Sequence, residues 1–321
     1  MSTTVSLIRA QSYELNALRT AVEQLLEPLG GMGAIVKPGD RVLLKPNLLT
    51  ASYPTKECVT RPELVYCVAQ LVQAAGGKPF LGDSPGFGTA RGVAQANGYL
   101  PLMAELNIPI VEFRGKRYEA AGEDFNHLLI SKEAMDADVV INLPKVKSHA
   151  QLMVTMGVKN LFGCVPGKMK AWWHMEAGKD SARFGAMLVE TAQTINPDLT
   201  IIDGIIGHEG NGPMRGEPRV LGVLGAARNV FALDRAIAEI LRVDPAIILT
   251  VATSQRLGLC PELADIDFPL CQPEELQIAD WQLPDTLVPI DFGLPRVIQS
   301  TFRHLYIRFI KEPMSAYGAA K

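Results

Sequence analysis

Residues 138–163 read DVVINLPKVKSHAQLMVTMGVKNLFG. The first six, DVVINL, form a short apolar run rich in β-branched residues, the pattern of a strand buried on both faces. Pro144 breaks it, and a set of cations follows at once: Lys145, Lys147, His149 and Lys159, with Asn160 beside the last. A buried strand that ends in polar residues is the signature of an α/β fold, whose ligands sit beyond the carboxyl ends of its strands. Lys145 and Lys147 alternate, so an extended chain turns them to the same side.

Working outward, strand and helix patterns alternate along the chain. Strands are expected at residues 5–9, 41–44 (RVLL), 79–81, 108–113, 199–202 (LTII) and 221–226. Helices are expected at residues 13–26, with Leu15, Leu18, Val22 and Leu25 on one face, and after Thr60, read as a cap with Pro62 in the first turn and Gly76-Gly77 at the end. Two more fall at residues 182–194 and 230–241. This alternation predicts an α/β fold, a parallel-rich sheet with helices on both faces. We expect one α/β domain over residues 1–290, with a lid or insertion at about 163–178. An irregular acidic segment lies at 270–294, and a C-terminal amphipathic helix and tail occupy 291–321.

Composition narrows the function. The 321 residues are 48% apolar and 20% charged, which rules out wholesale disorder. A net charge of −3 argues against a protein devoted to nucleic acid. No apolar run reaches the roughly 18–20 residues that cross a bilayer, and MSTTVSLIRAQSYE lacks the pattern of a secretory signal. The chain is therefore read as cytoplasmic. Its five cysteines, Cys58, Cys67, Cys164, Cys260 and Cys271, are odd in number and contain no CxxC, against a disulfide framework or a self-contained cluster motif.

Between Ile141 and Lys179 stand six lysines (145, 147, 159, 168, 170 and 179) and one acid, Glu176. That stretch carries +5 in a chain of −3, so the remainder carries −8. A solvated charge run has no need of the interleaved Leu, Val, Met, Phe and Trp, so an anionic ligand explains it better. Crowded ammonium groups lower one another's pKa, which suits a lysine base. His149 and His174 are the imidazoles placed for acid–base work, against the plainer reading of structural histidines. Their surroundings lack a metal-ligand spacing, and no metal site is assigned.

Three other strand ends supply polar groups. Lys45-Pro46-Asn47 leaves one strand; Asp83 and Ser84, in GDSPG, leave another and serve either a ligand or a helix cap. Asp203 leads from a third into GIIGHEGNGP, which carries Glu209 and Asn211. Cys164, beside the lysines, is either a reactive thiolate or a small buried residue. Trp172-Trp173 either packs a lid or stacks on a flat ligand.

LLKPNLL (43–49), GDSPG (82–86), INLPKVKSHAQLMVTMGVKNLFG (141–163), the Lys170-x-x-x-His174 pair and IIDGIIGHEGNGP (201–213) together resemble the domain of unknown function 362 family. The resemblance covers residues 42–258, about two thirds of the chain. It implies ligand-facing polar positions at Lys45, Asn47, Asp83, Lys145, Lys147, His149, Thr155, Lys159, Asn160, His174, Asp203, Glu209 and Asn211. Many members carry a ferredoxin-like module with CxxCxxC spacing after the α/β domain. Here that module is missing, so either an external ferredoxin or flavin partner supplies electrons or the α/β domain works without them.

Three functions remain open. The first is an enzyme acting on a small anion with an external electron-transfer partner. The second is a non-redox transferase, lyase or isomerase with His149 or a lysine as base. The third is a protein that binds or delivers an anionic cofactor. Residues 294–311, LPRVIQSTFRHLYIRFIK, contain no acid and place Ile298, Phe302, Leu305 and Phe309 on one helical face. That face either docks on the core or meets an acidic partner or an anionic membrane.

Overall fold

A computed structural model describes residues 3–51, 57–167 and 169–291. The predicted C-terminal helix and Lys168 lie outside the described residues. In chain order, β1 is Thr3–Arg9, α1 Leu15–Leu26, β2 Arg41–Pro46, α2 Pro62–Ala74, β3 Lys78–Asp83, α3 Ala90–Ala96 and α4 Tyr99–Glu105. Next come β4 Ile110–Glu112, the hairpin β5 Gly115–Glu119 and β6 His127–Ser131, α5 Lys132–Met135, β7 Val139–Leu143, β8 Lys145–His149, β9 Met153–Thr155 and α6 Gly157–Leu161. The rest are α7 Met169–Glu176, α8 Ser181–Ile195, β10 Leu199–Glu209, β11 Glu217–Ala227, α9 Val230–Ile240, α10 Leu249–Arg256 and β12 Ile266–Asp267.

The main sheet runs β12-β1-β11-β10-β7-β2-β3-β4, with β8 paired to β10 and β9 to β8. The neighbours β10-β7, β7-β2, β2-β3 and β3-β4 are parallel. The pairs β10-β11 and β11-β1 are antiparallel. The fold is thus α/β, with a mixed, mostly parallel sheet.

The two-residue side-chain period sorts the sheet into two cores. Val42 and Leu44 join the α1–α4 face, where Leu18, Leu64, Val93 and Tyr99 pack. Leu43, between them, joins the opposite face with Phe184, Val230 and Val251 of α8, α9 and α10. Each fully buried aliphatic side chain contributes about 1.5–3 kcal/mol. The buried Leu64, Val65, Val68 and Val72 therefore make α2 a principal anchor.

Strand order sets the place of the site. From β2 the chain moves outward through β3 to β4, then returns to β7 on the other side of β2. The gap between the carboxyl ends of β2 and β7 is thus a topological switch point, where an α/β sheet opens a crevice. Into it run Lys45 and Pro46, in register with Asn142 and Leu143.

Several expectations needed revision. Thr60 does not cap α2: the N-cap is Arg61, and the Thr60 hydroxyl instead donates to Leu143 O (2.7 Å) while accepting from Asn47 N (2.9 Å). Asp83 and Ser84 cap no helix; Thr89 caps α3. Asp203 is not beyond a strand end. It lies inside β10, which runs eleven residues because its first part pairs with β7 and its second with β8. The 163–178 stretch holds α7, and Trp173 packs edge-on against Phe125 at 5.2 Å while Trp172 is 44% exposed.

Candidate functional site

β8 places Lys145 and Lys147 on one side and Val146 in the opposite core, as alternation requires. Both lysines are buried, at 1% and 3% exposure. Their surroundings differ.

Lys145 is neutralised. Its Nζ lies 3.0 Å from Asp203 Oδ2 and 3.3 Å from Glu57 Oε2, and it donates to the Tyr13 hydroxyl at 3.1 Å. Tyr13 donates to Asp203 Oδ1 at 2.5 Å, and Arg61 N donates to Asp203 Oδ2 at 3.0 Å. Arg61 also pairs with Glu57 (3.1 Å) and Glu63 (3.2 Å). Burial, then Asp203, pushes the Tyr13 phenol far up, so it stays protonated. Burial raises the Glu57 carboxyl against the pull of Lys145 and Arg61. This network ties α1, the approach to α2, β8 and β10 together.

Lys147 has no carboxylate in ion-pair reach among the described residues. Its Nζ donates to Asn47 Oδ1 (2.8 Å) and Cys58 O (2.9 Å). Burial, helped by Lys45 and Lys145, lowers its pKa to about 8. Asn47 passes the contact on, donating to Asn160 Oδ1 at 3.0 Å. Asn160 in turn donates to Asn142 Oδ1 (2.8 Å) and Lys45 O (3.2 Å). Thr155, opposite Lys147 in the β8–β9 hairpin, donates to Lys147 O at 3.3 Å.

On the other side of Asn160, Lys45 forms the cluster's ion pair with Asp83, at 2.8 Å and almost without solvent. Asp83 also accepts from Leu48 N and Ser84 N. The two glycines of GVKNLFG have separate reasons. A Cβ on Gly163 would lie 2.2 Å from Asp83 Oδ1 and 2.5 Å from Lys45 Nζ, so only glycine lets the backbone close over that pair. A Cβ on Gly157 would lie 2.9 Å from Asp234 Oδ1. Asp234, on α9, accepts from Gly157 N (2.7 Å) and Val158 N (3.0 Å) and so closes the start of α6. Burial pushes its carboxyl to about 7 despite those bonds.

Two more lysines complete the cluster. Lys159 rests 4.3 Å from the Phe162 ring centroid and has no hydrogen-bond acceptor among the described residues. Burial, then Lys170, Lys147 and Lys45, lowers its pKa to about 7. Lys170 reaches across from α7 to donate to Ser84 O; burial and Lys45 lower it to about 8. Ser84 Oγ accepts from Gly167 N at 3.0 Å, so GDSPG anchors the start of that crossing.

His149 belongs to this cluster. Burial, then Lys159, Lys147 and His174, holds its pKa well below the ordinary imidazole value. Gln151 N donates to its Nδ1 at 3.1 Å. A neutral ring with Nδ1 accepting carries its proton on Nε2, so His149 offers a donor. His174 turns its Nδ1 to Ile290 O at 3.0 Å, beside Phe162 and Phe184. A carbonyl only accepts, so that nitrogen donates, and His174 fastens the 285–291 stretch to α7.

Glu209 and Asn211 stand apart from the lysines. Glu209 accepts from Gln282 N (3.0 Å), and Asn211 exchanges two bonds with Asp285. Both hold the acidic segment. Cys164 stays a thiol: burial raises it to about 12 despite the nearby lysines.

Sequence reasoning left Lys170 out of the site, although Lys170 and His174 at i, i+4 share one helical face. It gave no sign of Tyr13, Glu57 or Asp234, whose partners lie far away in sequence.

Fold and site together define an α/β protein with a lysine-rich cluster at its switch point. The chain belongs to the family described as a domain of unknown function (DUF362), whose model matches residues 42–239. It is 68% identical over 317 residues, 99% of each chain, to the thylakoid-associated protein sll1697 of Synechocystis sp. (strain ATCC 27184 / PCC 6803 / Kazusa). Among solved structures it shows a looser likeness to the lactate racemase apoprotein of Thermoanaerobacterium thermosaccharolyticum. The TM-score there is 0.44 at 15% identity, covering 71% of this chain and 54% of that one. Among the described residues no helix is long and apolar enough to cross a membrane.

Proposed function

We propose that the protein is an enzyme that binds a small anion among Lys147, Lys159 and Lys170 and moves a proton at it, with Lys159 as the base. One observation carries this: buried Lys147 and half-buried Lys159 and Lys170 gather near a single carboxylate, Asp83, which Lys45 already holds. Unpaired buried ammonium groups are costly, and a fold keeps them where a ligand supplies the missing charge. A lysine near 7 is part-neutral at physiological pH, the state a general base needs. The neutral His149 supplies an Nε2–H donor to the same ligand. In this reading a carbon-bound proton next to a carboxylate or phosphate passes to the Lys159 amine and returns from it.

The test is proton exchange in D2O. Small 2-hydroxy and 2-oxo carboxylates and phosphomonoesters are incubated with the protein, and loss of carbon-bound protons is followed by NMR. Lys159→Met should slow exchange by about 10²–10⁴-fold. Unchanged exchange in that variant, or no exchange with any compound, defeats the proposal.

A second reading concerns residues 294–311. The name of the 68%-identical relative, thylakoid-associated, favours the membrane over an acidic protein as what this basic, amphipathic sequence meets. The full chain should sediment with phosphatidylglycerol vesicles and less with neutral ones, and deletion of residues 295–321 should abolish the difference. A folded deletion variant that sediments with phosphatidylglycerol vesicles as well as the full chain does refutes it.

A further inference from the structure

The three uncompensated lysines are not equivalent. Lys147 is held by two protein acceptors, Asn47 Oδ1 and Cys58 O, and keeps one N–H for a ligand. Lys170 is held by Ser84 O and keeps two. These two ammonium groups come from different elements, β8 and α7, and each is held by oxygens that only accept. Lys159, between them in electrostatic influence, rests on an aromatic face without an acceptor. The backing is therefore that of two clamps and one unclamped amine.

We propose that the ligand carries two negative charges, as a phosphomonoester or a dicarboxylate does, gripped by Lys147 and Lys170, with Lys159 left as the amine that is not needed for charge balance. This rests on the reading of Lys159 as the base. A monoanion would leave one clamp unpaired in a site of low dielectric, a cost water does not impose. A trianion would recruit Lys159 as a third ammonium and remove the base.

Binding then takes up protons. Lys147 is faced by Lys45, Lys145, Asp83 and Cys58. Lys170 is faced by Lys45, Asp83 and Cys164, and its own charge acts on Lys159. His149 is faced by Lys147 and Lys159. Both clamps are half-charged near pH 8, and a dianion restores the charge they lack. At pH 6 they are already charged, so uptake disappears.

Sulfate and nitrate separate the charge states, because neither titrates between pH 6 and 9. Calorimetry on the full-length protein, in two buffers of different ionisation heat, gives affinity and protons together. Sulfate should bind at least about tenfold more tightly than nitrate. It should take up protons at pH 8 and none at pH 6. Lys147→Met and Lys170→Met should each weaken sulfate by about 10–100-fold and reduce the uptake, while Lys159→Met changes affinity less than either.

Equal affinities for sulfate and nitrate, or sulfate binding without proton uptake at pH 8, overturn the dianion assignment and leave proton exchange through Lys159 untouched. Sulfate binding as described together with Lys159-independent exchange overturns the base and leaves the dianion. If neither anion binds, both fall.

Discussion

Lys145 and Lys147 sit two residues apart on one strand, on one side, both buried, and they have opposite fates. Lys145 meets two carboxylates and a phenol; Lys147 meets an amide and a carbonyl. A buried charge with partners braces the fold. A buried charge without an opposite one costs stability until a ligand arrives. The contrast separates what these lysines are for, although sequence presents them as twins.

The contrast breaks most visibly at the compensated end. Lys145→Met strands Asp203 and Glu57 in the interior, so chemical denaturation should show a loss of about 3–5 kcal/mol. A loss under about 1 kcal/mol would mean that Tyr13 and Arg61 suffice and that the two regions differ less than their charges suggest. Gly163→Ala comes next. The new Cβ collides with the Lys45–Asp83 pair, and overpacking of this kind costs about 1–3 kcal/mol. Anion binding should suffer with it, whereas a neutral result would show that the backbone over the pair can give way.

Lys159→Met should move the other way. It removes a withdrawn, unpaired ammonium while keeping an apolar stem on Phe162, so the unliganded protein should gain about 0.5–2 kcal/mol. A stability loss would show that Lys159 holds the fold as Lys145 does. The smallest effect sharpens the same point through pH. The Lys159 pKa falls to about 7 from an ordinary 10.5, so between those values the unfolded chain holds a proton that the native chain lacks. Stability from this group therefore rises with pH across that window. Below about 7 both states are protonated and the penalty is complete. The stability gap between Lys159→Met and its parent should thus be widest below pH 7 and shrink above it. A gap independent of pH would return Lys159 to an ordinary surface lysine.

The family string was legible because its residues are close in sequence. Lys147, His149, Lys159 and Asn160 all lie within one stretch of 14 residues. DVVINL and RVLL were recognisable as strands because a strand buried on both faces needs an unbroken apolar run. The hairpin of β8 and β9 was hidden, since KVKSH is polar and its other partner, β10, begins 50 residues after β8 ends. Asp203 was misplaced for the same reason: an apolar run marks where a strand is dry, and β10 continues past that point along β8.

By itself, then, the sequence determined the alternation of strands and helices, the family, and the concentration of lysines after one strand. Local periodicity and composition record those directly. Only the tertiary structure decided which lysine is neutralised. The Lys145 partners come from residues 13, 57 and 203, and the Lys147 partners from residues 47 and 58. Ion pairing depends on distances of 3 to 4 Å, and those distances are set by how β2, β7, β8 and β10 lie beside one another. No spacing along the chain encodes that order, because non-local contacts form between segments whose separation in sequence carries no information about their separation in space.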